Sequence, residues 1–202
     1  MENGIAKRLV SPIADSAVSR GLRSAGIVVA GSALVAICSH IAVPLWFTPV
    51  PLTLQPFAVL LLGLLLAPRL AATTLGLYLL EGAAGLPVFA PGVAFGTGIA
   101  HLLGPTGGYL MAYPGAAALV AYLWRHSRHG YGFAMMSAAA GNVTILLCGW
   151  MWLMVLAHGG GASSSMKSAF ALAVLPFLPG DALKVVVAAA IAKGFDRARR
   201  VF

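Results

Sequence analysis

The sequence predicts an all-α integral membrane protein with six transmembrane helices, several of them short or broken by proline, and an irregular Gly-rich outer loop. Of its 202 residues, 60% are hydrophobic and only 9% are charged, whereas a soluble domain carries about 25% charged residues. The mean hydropathy is +0.92. Because too few polar side chains are present to cover a water-soluble globule, we expect a single domain solvated by lipid.

Six apolar segments are interpreted as the spans. They lie at about 26–47, 54–67, 70–80, 107–124, 133–157 and 166–194. The first is too long for a signal peptide. The second and third are shorter than the roughly 20 residues that cross a bilayer, and Pro68 separates them, so a helical hairpin is expected. The sixth is broken by two prolines, which favours a short helix before Pro176 and a new helix from Pro179.

The domain organisation follows from these segments. A basic N-terminal segment, 1–23, precedes a six-helix bundle, 24–194, and a basic tail, 195–202, follows it. The outer loop, 82–108, holds eight glycines and three prolines and lacks Asp, Glu, Lys and Arg. A long, uncharged segment of this kind predicts irregular backbone packed against a site.

Positive charge is concentrated on one side of the predicted spans. The net charge is +8, and eleven of the thirteen Lys and Arg residues fall in the termini and in the loops after the second and fourth spans. They are Lys7, Arg8, Arg20, Arg23, Arg69, Arg125, Arg128, Lys193, Arg197, Arg199 and Arg200. Since Lys and Arg are enriched in cytoplasmic loops, we expect both termini on the cytoplasmic side of a plasma (inner) membrane. The charge is expected to face membrane lipid, and nucleic acid is not an expected partner.

Two ionisable residues inside the last span are the strongest candidates for function. Asp181 and Lys184 have i,i+3 spacing, which places both on one helix face, and they fall in the outer part of that helix. Asp181 lies in the first turn, where the helix dipole favours an anion. Ionisable groups inside a membrane are costly and usually functional. The alternative is an ion pair that only neutralises itself.

Other polar residues leave two interpretations open. Glu81 either faces the same pocket or reaches water at the interface. Asn142 either contacts a ligand or bridges two helices, and Gln55 is either a site residue or a helix-end cap. Tyr109 offers a ring and a hydroxyl group to a site. No metal site is expected, because the His and Cys residues lack ligand spacing.

The first span carries small residues at Ala30, Ala33 and Ala36. Stripes of small residues let helices approach closely. This stripe serves either internal packing or the docking of another membrane subunit.

Four motifs occur in order along the membrane part of the chain. They are FTPVPLTLQ (47–55), LPVFA (86–90), LGPTGGY (103–109) and PFLPGDALK (176–184). Together they resemble the BioY biotin-transporter family over residues 44–184. The resemblance implies a substrate-binding component (S component) of an energy-coupling-factor (ECF) vitamin transporter, with six membrane helices and no enzymatic activity or cofactor. It also implies that biotin is bound from outside, and that the partners are a transmembrane coupling subunit and two cytoplasmic ATPase subunits.

The resemblance also implies roles for individual residues. The Asp and Lys of the PGDxxK motif, here Asp181 and Lys184, are expected to hold biotin. Further expected contacts with its polar and apolar parts come from Asn142, Tyr109, Gln55, Glu81, Tyr78 and Phe89. The resemblance also favours the interpretation that the alanine stripe on the first span docks another membrane subunit.

Two alternative functions remain at this stage. One is a small intramembrane enzyme that uses Asp181 and Glu81 as acid and base. The other is a structural membrane subunit in which the Asp181–Lys184 pair sets helix register. The lack of a nucleophile–base arrangement disfavours the enzyme, and the uncharged Gly-rich loop disfavours the structural subunit.

Overall fold

The computed structural model describes residues 17–91, 96–159 and 166–199. In these ranges the chain forms eight helices and two short strands. In order they are α1 (Ala17–His40), β1 (Ala42–Val43), β2 (Leu52–Thr53), α2 (Gln55–Leu65), α3 (Pro68–Ala83), α4 (Ile99–Leu103), α5 (Gly107–Arg125), α6 (Tyr131–Gly159), α7 (Met166–Ala173) and α8 (Leu178–Arg199). The predicted helical class is confirmed. Lys7, Arg8 and Arg200, which were assigned to the basic termini, lie outside the described residues.

The first helix differs from its predicted limits at both ends. It begins at Ala17, within the segment expected to precede the membrane, and it ends at His40 rather than near Phe47. Beyond it, Ala42 pairs with Thr53 and Val43 with Leu52 in an antiparallel ladder. Val43 precedes Pro44, and a residue before proline is pushed toward extended backbone, which explains why the apolar run leaves the helix there.

Prolines that interrupt the apolar runs begin helices. Proline occupies the first or second position of α2 and of α3, where its missing N–H costs no helical hydrogen bond. Pro179 is the second residue of α8, and α7 ends before Pro176, as predicted. The α2–α3 pair departs from a simple hairpin: α2 packs mainly on α5 and α8, and α3 packs mainly on α1 and α5.

The helices agree in order with the six predicted spans if α7 and α8 count as one broken span and α4 lies between spans. Within the described residues, Ser19–His40 and Tyr131–His158 are each long and apolar enough to cross a bilayer. The α7–α8 pair, bent by 46°, qualifies as a third. The 11-residue α2 and the 16-residue α3 fall short of the roughly 20 residues that a single crossing needs.

Helix α5 lies at the centre of the bundle and packs against α2, α3 and α6. Its inner face carries small, fully buried side chains at Ala116, Ala117, Val120 and Ala121. On α6, a Cβ atom at Gly141 would lie 2.3 Å from Val120 Cγ2. Glycine at this position is therefore what allows α5 and α6 to approach so closely.

The outer surface of the bundle is apolar, as expected for a lipid-solvated protein. Large hydrophobic side chains such as Ile37, Met136, Met151 and Val155 are more than half exposed. In a water-soluble protein this much contiguous apolar surface would be a liability. The predicted integral membrane class is confirmed.

Apart from Lys167 on α7 and Lys184 on α8, the described Lys and Arg residues lie at one end of the bundle, which we call the basic end. This end holds the start of α1, the α2–α3 linker, the α5–α6 loop and the end of α8. Lys193 Nζ on α8 donates to the His129 carbonyl oxygen in the α5–α6 loop at 2.5 Å. At the opposite end, called the cavity end, the Gly-rich loop is irregular as predicted. Gly85, Gly96 and Gly98 adopt φ values of +93°, +76° and +71°.

Candidate functional site

A partly enclosed cavity opens at the cavity end, between α2, α5, α6 and the start of α8. Its walls are Val50, Pro51, Thr53, Gln55, Pro56, Ala90, His101, Thr106, Tyr109, Leu110, Tyr113, Ile145, Leu146, Phe177, Asp181 and Lys184. About 530 Å³ of space, including open solvent at the mouth, lies between them. Most of the lining is apolar with a few polar groups, which is typical of small-molecule sites.

Asp181 and Lys184 form the charged part of this wall. Lys184 Nζ lies 2.8 Å from Asp181 Oδ1, and the two side chains are 9% and 3% exposed, respectively. Asn142 Nδ2 on α6 donates to the other carboxylate oxygen, Asp181 Oδ2, at 3.2 Å. The predicted common face is confirmed. Asn142 is not part of the cavity wall, and its contact bridges α6 and α8.

Gln55 is in the wall at the start of α2, and its amide is bonded on both sides. Its Nε2 donates to the Tyr78 hydroxyl oxygen at 2.5 Å, and its Oε1 accepts from Thr53 Oγ1 at 3.1 Å. Tyr78 itself is fully buried and lies behind the wall, where its hydroxyl donates to the Val88 carbonyl oxygen at 2.9 Å. Gln55 is therefore placed to contact a ligand, whereas Tyr78 supports Gln55 from behind.

Phe89 also lies behind the wall. Its ring packs edge-on against Tyr78, with centroids 5.5 Å apart, and against His101 at 4.9 Å. His101 belongs to α4, which lies in the Gly-rich loop outside the spans, and burial lowers the pKa of its imidazole. Phe89 thus orders the loop residues that face the cavity.

Tyr109 contributes its ring to the cavity wall, while its hydroxyl is used elsewhere. The hydroxyl donates to the Ala173 carbonyl oxygen at the end of α7, at 2.7 Å. The ring lies directly over α6, where a Cβ atom at Gly149 would come within 2.2 Å of it. Thr48 Oγ1 donates to the neighbouring Leu172 carbonyl oxygen at 3.0 Å. Both bonds satisfy carbonyl groups left open by the end of α7.

Glu81 is not brought to the cavity. It is half-buried and accepts a hydrogen bond from Ser32 Oγ, so it joins α3 to α1. Ala30 and Ala33 are exposed on the side of α1 that faces away from the bundle, and Ala36 is half-buried. The alanine stripe is thus open to another helix over most of its length.

Twelve of the sixteen wall residues were not among the predicted site residues, and four of these twelve have polar side chains: Thr53, His101, Thr106 and Tyr113. Thr106 is 8% exposed, and its Oγ1 is buried without a hydrogen-bond partner in the described part of the chain, as is Asn142 Oδ1. Trp152 Nε1 donates to the Gly104 carbonyl oxygen at 2.8 Å, which fixes the turn that carries Thr106. The signal for Thr106 was its place inside LGPTGGY (103–109).

Across residues 17–91, 96–159 and 166–199, the structure shows no group of three or more His, Cys, Asp or Glu side chains that could hold a metal ion. What the cavity offers is a buried carboxylate, an ammonium group, an amide and a hydroxyl set among apolar and aromatic walls. Fold and site together define a membrane protein with a binding cavity for a small organic molecule.

The chain belongs to the BioY family, whose family model matches residues 9–201. It is 42% identical over 145 residues to the "Probable biotin transporter BioY" of Pyrococcus horikoshii, covering 72% of this chain and 80% of that protein. It is 35% identical over 173 residues to the "Biotin transporter BioY" of Thermotoga maritima, covering 86% and 94%. The fold matches a crystal structure of the S-component for biotin from an ECF-type ABC transporter with a TM-score of 0.76 and 22% identity, over 88% of this chain and 93% of that one.

Proposed function

We propose that this chain takes part in biotin uptake as the membrane-embedded, high-affinity biotin-binding S component of an ECF-type vitamin transporter. Membership of a family whose named relatives are biotin transporters supports this function, and it makes the chain a transport protein and not an enzyme. The observation that carries the proposal is the Asp181 carboxylate, on a side chain that is 3% exposed, in the wall of an otherwise largely apolar cavity.

The chemistry of the wall matches the chemistry of biotin. A carboxylate offers about four acceptor positions, of which Lys184 and Asn142 use two in the described contacts. The remaining positions can accept the N–H groups of the ureido ring. Lys184 can meet the ureido oxygen or the valerate carboxylate, and charge-assisted bonds of this kind contribute about 1.5–3 kcal/mol each. Tyr109 and Phe177 would cover the apolar bicycle.

The position of the cavity supports capture from the outer side. Apart from Lys167 and the cavity residue Lys184, the described Lys and Arg residues lie at the opposite end of the bundle, and Lys and Arg are enriched on the cytoplasmic side of membranes. The cavity would then open to the exterior, with both termini in the cytoplasm and the chain in the plasma (inner) membrane.

The exposed face of α1 supports the proposed partners. Ala30 and Ala33, with half-buried Ala36 beside them, leave a shallow surface on which a helix of the coupling subunit can lie closely. Two cytoplasmic ATPase subunits would act through that coupling subunit.

Calorimetric titration of the detergent-purified chain tests the proposal. We expect saturable binding of one biotin in the absence of ATP, and no measurable heat with thiamine or riboflavin at the same concentrations. Equal binding of the three vitamins, or no binding of biotin by a folded protein, would reject the assignment.

The geometry argues against the alternative of an intramembrane enzyme. It requires Asp181 and Glu81 in one site, but Asp181 lines the cavity and Glu81 bonds Ser32 between α1 and α3. The structural-subunit alternative predicts that the Asp181–Lys184 pair can be replaced by apolar residues without loss of function, which the variants in the Discussion test.

A further inference from the structure

Tyr78 does not touch the cavity, yet a chain of hydrogen bonds connects it to the cavity wall. The chain runs from the Val88 carbonyl oxygen through the Tyr78 hydroxyl to the Gln55 amide and on to Thr53. Tyr78 is 0% exposed and Gln55 is 4% exposed. The side chains of Tyr78 and Gln55 are thus shielded from bulk water, and buried polar groups of this kind are almost always hydrogen-bonded.

The direction of every bond in this chain follows from its first member. A carbonyl oxygen can only accept, so the Tyr78 hydroxyl must spend its single hydrogen on Val88. The same hydroxyl can then only accept from Gln55, which requires the Nε2 edge of the amide to face Tyr78. The Oε1 edge is left facing Thr53, whose hydroxyl can donate to it.

The same count of hydrogen-bond donors and acceptors disfavours the reversed orientation of the Gln55 amide. If Gln55 turned its Oε1 toward Tyr78, the Tyr78 hydroxyl would give its hydrogen to Gln55, and the Val88 carbonyl oxygen would depend on the single hydrogen of Ser39 Oγ, which also lies 2.7 Å from the Ala36 carbonyl oxygen. The reversed arrangement therefore makes one hydrogen bond fewer among these buried groups, and buried polar groups are rarely left unpaired. The orientation of the Gln55 amide is thus set by a backbone carbonyl that lies outside the cavity.

We infer that Tyr78 is a positioning residue that fixes the Gln55 amide, so that Gln55 offers its second N–H to an acceptor group of the ligand. This inference rests on the proposed function, because biotin supplies the acceptors: its ureido oxygen and its valerate carboxylate. Asp181 is then the acceptor in the wall, and Gln55 is a donor of fixed direction. The cavity therefore distinguishes ligands by the positions of their hydrogen-bond donors and acceptors as well as by their shape.

The test is calorimetric titration of wild type and Tyr78→Phe with three ligands. They are biotin, 2-iminobiotin, which carries a nitrogen donor in place of the ureido oxygen, and norbiotinamine, which carries an ammonium group, without an acceptor, in place of the carboxylate. We expect Tyr78→Phe to weaken biotin about tenfold. It should weaken one of the two analogues by less than twofold, because that analogue lacks the acceptor that Gln55 meets. A purely structural role for Tyr78 would weaken all three ligands by the same factor.

Tyr78→Phe is expected to fold, because Ser39 Oγ also donates to the Val88 carbonyl oxygen, at 2.7 Å. Tyr122→Phe is the matched control, since Tyr122 is 54% exposed, and it should bind all three ligands as wild type does. A second variant does not depend on analogues: in a Gln55→Ala background, Tyr78→Phe should cost less than twofold, because no amide remains to be oriented.

The outcomes separate the two proposals. Equal losses for the three ligands, wild-type affinity in Tyr78→Phe, or a full tenfold loss in the Gln55→Ala background would each overturn the role of Tyr78 while biotin binding by wild type still stands. A folded wild-type protein that binds none of the three ligands would overturn the biotin assignment and this inference with it.

Discussion

At the scale of single residues, the cost of burying Asp181 and Lys184 is the main argument that they have a function. They are the two buried charged residues among those described. Two apolar side chains of similar size would often be as stable or more stable than a buried ion pair. A buried ion pair used only for packing would therefore lower stability without any benefit. A pair that also binds a polar ligand has a function that offsets this cost.

We predict that Asp181→Asn lowers the affinity for biotin at least 100-fold in calorimetric titration. The amide keeps the shape of the carboxylate, but its nitrogen edge cannot accept an N–H, and the buried Lys184 ammonium loses its counter-charge. Asp196→Asn is the matched control. Asp196 pairs with Lys193 at 3.2 Å at the basic end, so this variant should bind as wild type does.

The double variant Asp181→Leu/Lys184→Met separates ligand binding from helix registration. It leaves no unpaired charge, so we expect a folded protein, checked by monodispersity and thermal unfolding, that fails to bind biotin. Wild-type biotin affinity in this variant would favour the structural-subunit alternative.

The sequence predicted a site residue well where its contacts are with residues close to it in sequence, and poorly where they depend on the packing of distant helices. The Asp181–Lys184 contact was predictable because i,i+3 spacing places both on one face whatever surrounds the helix. Gln55 and Tyr109, which were predicted to contact the ligand, also line the cavity. Tyr78, Phe89 and Asn142 were expected in the wall but lie behind it, and Glu81 lies between α1 and α3. Their depth depends on how α3 and α6 are rotated against α5, which no local pattern encodes.

At the scale of elements, proline and glycine decide where helices start and how closely they pack. Prolines were informative in the sequence because their effect is local: they marked the starts of α2, α3 and α8 to within a residue or two. The end of α1 at His40 was not predicted, because residues 41–47 continue its apolar run. Pro44 disfavours helix at Val43, and the pairing of β1 with β2 holds Ala42 and Val43 in extended backbone. α4 was also missed, since five residues in a Gly-rich loop carry little periodicity.

The contact between α5 and α6 gives the element-scale prediction. Gly149→Ala places a methyl group where the Tyr109 ring now lies, since its Cβ would be 2.2 Å from that ring. The ring must move, and its hydroxyl would lose the Ala173 carbonyl oxygen at the end of α7. We expect a lower thermal unfolding temperature, an unfolding free energy reduced by about 1–3 kcal/mol, and at least tenfold weaker biotin binding.

Gly115→Ala is the control for Gly149→Ala. Gly115 lies inside α5, and a Cβ atom there would meet nothing within 4 Å. This variant should unfold at the same temperature or higher, because alanine is favoured over glycine in helices by about 1 kcal/mol. If Gly149→Ala behaves like Gly115→Ala in both stability and affinity, the Tyr109 ring is not held by close packing on α6.

At the scale of the whole molecule, three surfaces with different chemistry lie in different places. Most of the described Lys and Arg residues lie at the basic end, the largely apolar cavity with its buried Asp181–Lys184 pair lies at the opposite end, and apolar side chains cover the sides. Within that apolar exterior, the α1 face at Ala30 and Ala33 stands out because its side chains are small. The cavity and this face share no residue, so binding of the vitamin and docking of a partner can be disturbed separately.

We therefore predict that Ala33→Leu leaves biotin affinity of the purified chain within twofold of wild type but lowers biotin uptake by cells at least tenfold. The added side chain separates α1 from a docked helix without reaching the cavity. Ala139→Leu, at another exposed alanine, on α6, is the matched control and should preserve both properties. Co-purification with the coupling subunit should fall in parallel with uptake. Full uptake by Ala33→Leu would move the docking surface to another face, whereas lost affinity would mean that α1 is coupled to the cavity.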